Sequence, residues 1–265
     1  MSKMRHFITD PEWDKFYYHS RQIKGQKKIE NESEEEEIKK VQMVLNRLKK
    51  LNYISNADYN LADFKDLRRK VQNDFFIYWT AINPPMERLL YALSDILRPK
   101  NILGIGIFTG NPVIWSLGPA IQDHYKYDKL VAVEIDKEHA KICQENMNKV
   151  AGEGRVKIFD KDGFEVLKDY SDKEIDLLYL DANGKDPCAE RFWQRRRNTK
   201  RINYCLLKNA YSKLDPKGYA ICHNAYQPSF RKIAKDYLEF TNNEDFFSKT
   251  ATIGIDEMGI EFSKI

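Results

Sequence analysis

The sequence predicts an α/β protein: a doubly wound, mostly parallel seven-stranded sheet with an antiparallel C-terminal hairpin, preceded by a helical N-terminal extension. Two observations support this prediction. From residue 83 onward, short apolar strands alternate with helical segments, a pattern typical of parallel sheets that helices cover on both faces. Residues 1–82 are highly charged and show helical periodicity instead. We therefore expect a helical extension over 1–82 and a sheet domain over 83–265.

The extension contains one clearly amphipathic segment, "IKKVQMVLNRLKKL". Its apolar residues fall on one helical face: Ile38, Val41, Val44, Leu45 and Leu48. The acidic run Glu30–Glu37 precedes this segment and suits either a solvated helix start or a mobile linker. The extension ends in the aromatic stretch "FFIYWTAINPP", which forms either a lid over a ligand or a hydrophobic anchor. Its aromatic residues are Phe75, Phe76, Tyr78 and Trp79.

The alternating part starts with the helix "PMERLLYALSDILRP", which ends at Pro99. The strands that follow are "NILGIGI", "KLVAVEID", "RVKIF", "EIDLLYLD" and "GYAICHN". The helix "EHAKICQENMNKVA" lies after the second strand, and a long basic helix over roughly Ala189–Leu214 lies after the fourth. After the helix "FRKIAKDYLEF", the segment "KTATIGIDEMGIEFSKI" predicts two strands around a tight turn at Glu257–Gly259.

The composition favours a cytoplasmic protein without a membrane segment or an obligate nucleic-acid partner. The 44 basic and 40 acidic residues leave a net charge of only +4, so any anion-binding site is local. No apolar run approaches the roughly 18 residues of a membrane span, and the N-terminus lacks a signal-peptide pattern. The cysteines lack C-x-x-C pairing, which predicts reduced, mostly buried thiols rather than a zinc site or disulfide framework. They are Cys143, Cys188, Cys205 and Cys222.

The stretch "NILGIGIFTGNP" predicts a buried strand that runs into a glycine-bearing turn. In doubly wound sheets, ligands bind at the carboxyl ends of the strands, where the strand order reverses. A nucleoside-triphosphate site would need a Gly-Lys-Ser/Thr ending, which is absent. Gly104, Gly106 and Gly110 also miss the dinucleotide-binding spacing, and Pro112 stands where a pyrophosphate-binding helix offers free N–H groups. The turn therefore binds a different ligand, or it only connects a strand to a helix.

Three acidic residues follow consecutive strands behind this turn. Glu134 ends the second strand, where a carboxylate accepts hydrogen bonds from both ribose hydroxyls of a nucleoside. Asp162 follows the third strand, in a position to accept from an adenine amino group. Asp181 ends the fourth strand, directly after "LLYL", where a carboxylate is costly unless it has a task. Together the three acids predict a nucleoside-binding crevice.

The segments "ILGIGIFTGNP", "VAVEID", "KDGFEVL" and "DLLYLDANGK" together resemble the class I S-adenosylmethionine-dependent methyltransferases. The resemblance is closest to the small O-methyltransferases of the caffeoyl-CoA and catechol type, and it runs from about Pro85 to the C-terminus, leaving out the extension. It implies a Rossmann-like fold and S-adenosylmethionine as cofactor. By resemblance, the glycine loop holds the methionyl part, Glu134 the ribose, and Asp162 with Gly163 the adenine. The implied cofactor-binding set is Gly104, Gly106, Thr109, Gly110, Glu134, Ile135, Asp162, Gly163 and Asp181.

Two positions depart from the family pattern. The family usually carries an acid at Gly104 that helps to hold the cofactor's ammonium group, so here that amine is held differently, is neutral more often or takes part in the chemistry. Metal-dependent members bind a divalent cation with residues that match Asp181, His223 and Asn224. Imidazole suits iron, zinc or nickel better than magnesium. His223 is therefore a softer-metal ligand, a general base or a plain polar residue, and magnesium is not expected to be essential.

The stretch "RRRNTKR", Arg195–Arg201, is either the solvated face of a helix or a grip for an anionic substrate, since arginine matches carboxylate and phosphate with two parallel hydrogen bonds. Lys185 lies one position from the lysine that the family carries at Gly184, and an exposed lysine is normally protonated. The expected substrate-binding residues are Trp193, Arg195, Arg196, Asn224 and Tyr226.

The resulting prediction is a methyltransferase that acts on a small molecule at oxygen, with His223, Asp181 and Lys185 as catalytic candidates. The substrate is anionic or carrier-bound rather than a nucleic acid, and the chain is compatible with a homodimer. Two alternatives stay open. One is attack on the methionyl chain, by aminocarboxypropyl transfer or ring closure, and the other is a catalytically silent adenosyl-ligand binder. The products distinguish them: S-adenosylhomocysteine, methylthioadenosine or neither.

Overall fold

The structure, a computed structural model of the 265-residue chain, describes residues 5–10, 13, 32–77, 82–185, 187–188 and 198–265. Within these ranges the strands are β1 (His6–Thr9), β2 (Asn101–Ile105), β3 (Lys129–Val133), β4 (Lys157–Phe159), β5 (Ile175–Leu180), β6 (Gly184–Lys185), β7 (Asn198–Thr199), β8 (Leu214–His223), β9 (Lys249–Gly254) and β10 (Ile260–Lys264). The helices are α1 (Glu34–Lys50), α2 (Leu61–Asp74), α3 (Pro84–Leu97), α4 (Asn111–Ile121), α5 (Lys137–Ala151), α6 (Gly163–Leu167), α7 (Ile202–Ala210), α8 (Pro228–Ile233) and α9 (Lys235–Thr241). None of these helices is long and apolar enough to cross a membrane.

The main sheet has the order β1-β9-β10-β8-β5-β2-β3-β4. Strands β2, β3, β4, β5 and β8 run parallel, and β10 pairs antiparallel with both β8 and β9. This confirms the predicted doubly wound sheet with a C-terminal antiparallel hairpin. The chain leaves β2 toward β3 and β4, then crosses back to β5 on the other side of β2. The strand order therefore reverses between β2 and β5, which is where ligands bind in such sheets.

Helices cover both faces of the sheet, as the continuous apolar strands require. Alternate residues of β5 show the two layers, because successive side chains of a strand point to opposite faces. Leu177 and Tyr179 pack in a cluster with the helices α1 to α5, whereas Leu178 and Leu180 pack with α6, α7 and α9. The core thus lies on both sides of the strands that carry the candidate site at their carboxyl ends.

The N-terminal extension supplies an eighth strand to the sheet, so the expectations of an all-helical extension and of seven strands were wrong. Strand β1 pairs in parallel with β9, with His6 opposite Ala251 and Thr9 opposite Gly254. An uncovered edge strand exposes unpaired backbone groups, and β1 covers the edge of β9. Four residues are too few to produce a periodic signal in the sequence, which explains why the strand was missed.

Helix α1 confirms the predicted amphipathic segment, since Val41, Val44, Leu45 and Leu48 are fully buried. Its start carries a capping box between Ser33 and Glu36. The acidic run was expected to be solvated, and for its last member this was wrong. Glu37 is buried and accepts hydrogen bonds from two arginines of the following helices, at 2.9 and 2.7 Å from Arg68 and at a short distance from the fully buried Arg88. The extension is therefore joined to α3 by buried ion pairs as well as by apolar contacts.

The long basic helix predicted over roughly Ala189–Leu214 is shorter in the described residues. Strands β6 and β7 form a small antiparallel pair, and α7 begins only at Ile202. Residues 189–197 lie outside the described ranges. The expectation of four reduced thiols was wrong for one pair, because Cys188 and Cys205 form a disulfide with their Cα atoms 6.1 Å apart. Cys143 and Cys222 are free and buried, as predicted.

Candidate active site

The glycine loop closes tightly over the end of strand β5. Gly106 has φ +77°, and its N–H donates to the carbonyl oxygen of Val133 at 2.9 Å. A Cβ atom at Gly106 would lie 2.4 Å from the Cα atom of Ala182, so any side chain would push the loop away from β5. The Asp181 N–H in turn donates to the Ile105 carbonyl oxygen at 3.0 Å. The loop and Asp181 therefore lie side by side at the point where the strand order reverses.

The loop ends at Gly110, the N-cap of α4, which has φ +95°. A Cβ atom there would meet Met147 Cε at 2.8 Å and Cys143 Sγ at 2.9 Å, both on helix α5. Thr109 is buried, and its carbonyl oxygen accepts a hydrogen bond from the Asn146 side chain at 2.9 Å. The backbone of the loop is thus held from β3 and α5 together.

Glu134 follows β3 and orders the loop through its carboxylate. Its Oε2 accepts from the Phe108 N–H at 2.8 Å, and its Oε1 accepts from the Asp136 N–H at 3.1 Å. Phe108 takes the left-handed conformation, with φ +53°, which a non-glycine residue adopts only where its surroundings hold it. The next residue, Ile135, exposes 65% of its surface beside this carboxylate. A half-buried acid next to an exposed apolar side chain offers partners for both a sugar and a flat ring.

Asp162 and Gly163 lie at the neighbouring strand end, after β4. The Asp162 carboxylate caps α6 by accepting from the Phe164 N–H at 2.9 Å. A Cβ atom at Gly163 would lie 2.6 Å from Ile105 Cγ2, so this helix start packs directly on the end of β2. The structure thus brings Glu134, Asp162 and the glycine loop to the same edge of the sheet, as the sequence analysis expects.

Unlike Gly106 and Gly110 of the loop, Gly104 lies inside strand β2 among apolar side chains. A Cβ atom there would meet Val113 Cγ2 at 2.7 Å and Ile107 Cγ2 at 3.0 Å. Val113 and Ile107 therefore fill the space beside Gly104, the position at which the resemblance led us to expect an acid. Gly104 offers no side chain to a ligand, and its role is to let helix α4 approach the strand.

Asn111, in the first turn of α4, is a candidate that the sequence analysis did not identify. It is buried, yet neither its Oδ1 nor its Nδ2 has a hydrogen-bond partner among the described residues. Buried polar atoms are nearly always paired, so a carboxamide left open directly after Gly110 fits a polar group of a bound molecule. The only sequence signal was its place at the end of "GIFTGNP".

Asp181 and His223 meet at the ends of β5 and β8. Asp181 Oδ2 lies 3.0 Å from His223 Nδ1, and the His223 side chain is 7% exposed. A carboxylate only accepts hydrogen bonds, so Nδ1 is the nitrogen that donates to Asp181, and Nε2 is the nitrogen left to exchange a proton with a bound molecule. Nε2 is buried and has no partner in the described part of the chain. This is the orientation that a general base requires.

A lysine that the sequence analysis placed only in the cationic stretch completes this group. Lys200 Nζ forms an ion pair with Asp181 Oδ1 and donates to the Asp181 carbonyl oxygen at 3.0 Å. Burial alone would raise the pKa of Asp181, but the Lys200 ammonium and His223 hold it below its ordinary value. Asp181 is therefore an anion with both carboxylate oxygens engaged.

The remaining candidates lie outside this group. Lys185 is exposed on β6, and no contact joins it to Asp181, so it does not support a catalytic role. Asn224 donates from Nδ2 to Met258 Sδ at 3.3 Å. The Tyr226 ring packs over Gly254 and Gly259 of the C-terminal hairpin. Trp193, Arg195 and Arg196 lie outside the described residues, as do Tyr78 and Trp79.

The stretch Arg195–Arg201 was expected either to be a solvated helix face or to bind an anionic substrate. Its last two residues, Lys200 and Arg201, lie within the described ranges. Lys200 pairs with Asp181, and Arg201 pairs with Asp236 of α9. Both cations are therefore engaged within the chain.

The aromatic end of the extension can also be examined in part, since Phe75 is buried near Gly110 and Phe76 is 55% exposed. Phe75 thus matches the anchor, and the lid stays a prediction.

The three residues expected to bind a metal do not fit a divalent cation. Asp181 is occupied by Lys200 and His223, His223 uses Nδ1 for Asp181, and the Asn224 amide contacts a thioether. Magnesium and calcium require several oxygen ligands, and a bound ammonium group at the only carboxylate of the set repels them. Among the described residues, no group of three or more His, Cys, Asp or Glu side chains is arranged to hold a metal.

Comparisons with known proteins identify the family of this chain and relatives of its fold. A family model described as O-methyltransferase matches residues 54–202. The match contradicts the expectation that the resemblance leaves out the whole extension, because it begins 29 residues before position 83 and includes α2. It contains the glycine loop, Glu134, Asp162 and Asp181 and ends before His223.

A relative with the curated name catechol O-methyltransferase, from Niastella koreensis, is 27% identical over 120 residues, which are 44% of this chain and 52% of the relative. The chain thus matches about half of that relative's length. The solved structure of an O-methyltransferase from Bacillus cereus in complex with S-adenosylhomocysteine aligns with a TM-score of 0.53 and 14% identity, over 84% of this chain and 96% of that one. A methyltransferase from Podospora anserina aligns with a TM-score of 0.56 and 16% identity, over 90% and 99%. At these identities the two structures show a shared fold.

The family model covers more than half of the 265 residues, and it includes the glycine loop and the ends of β3, β4 and β5. This protein therefore belongs to the O-methyltransferase family.

Proposed function

We propose that this protein is an S-adenosylmethionine-dependent methyltransferase that transfers the methyl group to an oxygen atom of a small molecule. The observation that carries the proposal is the Asp181–His223 pair, whose open Nε2 lies at the carboxyl end of the sheet. A general base within reach of a hydroxyl group is what methyl transfer to oxygen needs from the protein. Family membership and the glycine loop beside Asp181 support the choice of cofactor.

The proposed cofactor site uses residues that follow three strands, β2, β3 and β4. Glu134 accepts from the ribose hydroxyls, and Asp162 accepts from the adenine amino group. Ile135 covers one face of the adenine ring, which accounts for a large apolar side chain that is 65% exposed. The loop from Gly106 to Gly110 approaches the methionyl part, and the open carboxamide of Asn111 is available to its polar end.

When bound, S-adenosylmethionine supplies an electrophilic methyl group on a positively charged sulfur. The protein contributes position and a proton acceptor. Asp181 fixes the His223 ring through Nδ1, so that Nε2 accepts the proton of the acceptor hydroxyl as that oxygen takes the methyl group. The glycine loop holds the reacting groups against the end of β5, because Gly106 allows the backbone to approach Ala182.

Product analysis tests this proposal. The purified protein is incubated with S-adenosylmethionine and a panel of phenols that begins with a catechol, because a relative carries that name. We expect S-adenosylhomocysteine and a methylated acceptor in equal amounts, detected by mass spectrometry. Replacement of His223 by Asn should lower kcat by about 100-fold to 10,000-fold, the usual contribution of a general base, and leave the affinity for S-adenosylhomocysteine unchanged.

Three outcomes contradict the proposal. Methylthioadenosine as the product would show attack on the methionyl chain. Absence of binding to both S-adenosylmethionine and S-adenosylhomocysteine in calorimetry would remove the cofactor. A His223→Asn variant with wild-type kcat would remove the proposed base.

A further inference from the structure

The strongest feature that the proposed function leaves unexplained is the ammonium group of Lys200. Its Nζ contacts Asp181 twice, as an ion pair with Oδ1 and as a donor to the main-chain carbonyl oxygen at 3.0 Å. The Lys200 side chain is 26% exposed and that of Asp181 is 13% exposed. The Lys200 ammonium group is therefore fixed beside Asp181 and remains accessible to a molecule that binds at the site.

Asn203 fixes Lys200 in this position. Its side chain is fully buried and forms three hydrogen bonds. Oδ1 accepts from the Ala182 N–H at 3.0 Å, and Nδ2 donates to the carbonyl oxygens of Ala182 and Lys200, both at 3.1 Å. Asn203 thus fixes the backbone at Lys200 to the end of β5. This holds the ammonium group next to Asp181.

His223 and Lys200, two residues that contact the Asp181 side chain, both differ from the metal-dependent pattern, and their effects on the local charge are complementary. In metal-dependent relatives, by resemblance, a carboxylate occupies the position of His223, and a divalent cation balances it together with the aspartate. Here a histidine replaces that carboxylate, which removes one negative charge, and a lysine supplies one positive charge next to the remaining aspartate. A single ammonium group balances a single carboxylate, whereas two carboxylates need a divalent ion.

We propose that the Lys200 ammonium group takes the place of a divalent cation: it neutralises Asp181 and stabilises the acceptor oxygen while that oxygen loses its proton. This inference rests on the proposed function. The acceptor O–H proton goes to His223 Nε2, and the O–CH3 bond forms. The S–CH3 bond breaks with its electron pair passing to sulfur, which gives a neutral thioether. The ammonium group offers hydrogen-bond donors to the oxygen throughout and transfers no proton itself.

A metal-binding experiment tests, without requiring turnover, whether the Lys200 ammonium group occupies the position of a divalent cation. Electron paramagnetic resonance measures free Mn²⁺ in the presence of four proteins: wild type, Lys200→Ala, His223→Asp, and the double variant His223→Asp/Lys200→Ala. We expect no binding by the wild type. The double variant, which restores a second carboxylate and removes the competing cation, should bind Mn²⁺ at least 10-fold more tightly than His223→Asp alone. Equal affinity of these two variants, absence of binding by both, or tight binding by the wild type overturns the proposal.

Kinetics test the role of the charge in the reaction. Lys200→Met should lower kcat by about 100-fold, the usual effect of losing one donor to a developing oxyanion, while the Kd for S-adenosylhomocysteine stays within twofold. Lys200→Arg, which keeps a cation, should recover at least a tenth of wild-type kcat. Lys208→Met, at an exposed position on α7, is the matched control and should keep wild-type kinetics.

Two kinetic outcomes overturn the proposal: wild-type kcat in Lys200→Met, or equal losses in the Met and Arg variants. The two failures can be told apart. If no acceptor yields S-adenosylhomocysteine with the wild type, the proposed function fails, and the Mn²⁺ measurements still decide whether Lys200 occupies a cation position.

Discussion

At the scale of single residues, the site is built from side chains that are already engaged. Glu134 holds the backbone of Phe108 and Asp136, and Asp181 holds both His223 and Lys200. Such contacts fix the position of a carboxylate before a ligand binds, which reduces the loss of side-chain conformational entropy on binding. Among the described residues of the site, the His223 Nε2 and the Asn111 carboxamide have no partner, and we expect a ligand to make new hydrogen bonds there.

The ribose role of Glu134 gives the first prediction. Glu134→Ala should weaken the binding of S-adenosylhomocysteine by a few kcal/mol, because charge-assisted hydrogen bonds contribute roughly 1.5–3 kcal/mol each. Isothermal titration calorimetry measures the change, and Glu138→Ala, at an exposed position in the first turn of α5, is the control. An affinity for Glu134→Ala that matches the control would show that the ribose lies elsewhere.

At the scale of elements, helix α5 couples the extension to the glycine loop. Asn146 is buried and accepts from the Phe76 N–H at 2.8 Å through Oδ1. Its Nδ2 donates to the Phe76 carbonyl oxygen at 3.1 Å and to the Thr109 carbonyl oxygen at 2.9 Å. One amide thus holds the end of the extension and the glycine loop on the same helix, so the two segments are joined through α5.

Removal of this amide gives the element-scale prediction. Asn146→Ala should lower the free energy of unfolding by about 2–3 kcal/mol, because three hydrogen bonds of about 1 kcal/mol each are lost and their backbone partners stay buried. It should also raise the Kd for S-adenosylhomocysteine, since the glycine loop loses a support. Asn148→Ala, two residues along the same helix and half-buried, should change stability by less than about 0.5 kcal/mol. Urea denaturation of both variants decides, and equal losses would contradict the coupling.

At the scale of the whole molecule, the N-terminal segment forms the edge strand β1 and places the cation Arg5 beside the buried acid Glu261. Arg5 forms an ion pair with the fully buried Glu261 of β10. Glu261 also accepts from the hydroxyl groups of Thr241 at 2.9 Å and Thr252 at 2.8 Å. Burial raises the pKa of Glu261, and the Arg5 charge opposes that rise. Strand β1 therefore contributes a charge to the core as well as hydrogen bonds to the edge of the sheet.

The pH dependence of this contact follows from the raised pKa. The folded protein keeps a proton on Glu261 at pH values where the unfolded chain has lost it, so stability falls as the pH rises through that window. Arg5 offsets this cost while Glu261 is ionised. Arg5→Met should therefore lower the free energy of unfolding by about 3–5 kcal/mol at neutral pH, the usual cost of breaking a buried ion pair. The loss should shrink on acidification toward pH 5, because a protonated carboxyl group needs no cation.

Urea denaturation at the two pH values measures this effect. Arg69→Met, which removes an exposed ion pair with Asp66, is the control and should change stability by less than about 0.5 kcal/mol at either pH. A loss for Arg5→Met that is the same at both pH values would contradict the assignment of Arg5 as the counter-ion of Glu261.

The sequence by itself determined the sheet, the C-terminal hairpin, the glycine loop and the acids at three strand ends. These features depend on local patterns, since alternation of apolar segments sets the element order and the residue after a parallel strand lies at a known edge. The grouping of His223 with Asp181 came from the family resemblance, and the structure places the two residues at the neighbouring ends of β5 and β8.

Only the tertiary structure decided which cation meets Asp181 and what covers the sheet edge. Lys185 is nearer to Asp181 in sequence, yet β6 leaves it exposed, whereas the buried clamp of Asn203 brings Lys200 back. Arg5 meets Glu261 across 256 residues, a separation over which no periodicity extends. Such partners are selected by side-chain direction and by the burial of charge, and both exist only after the chain has packed.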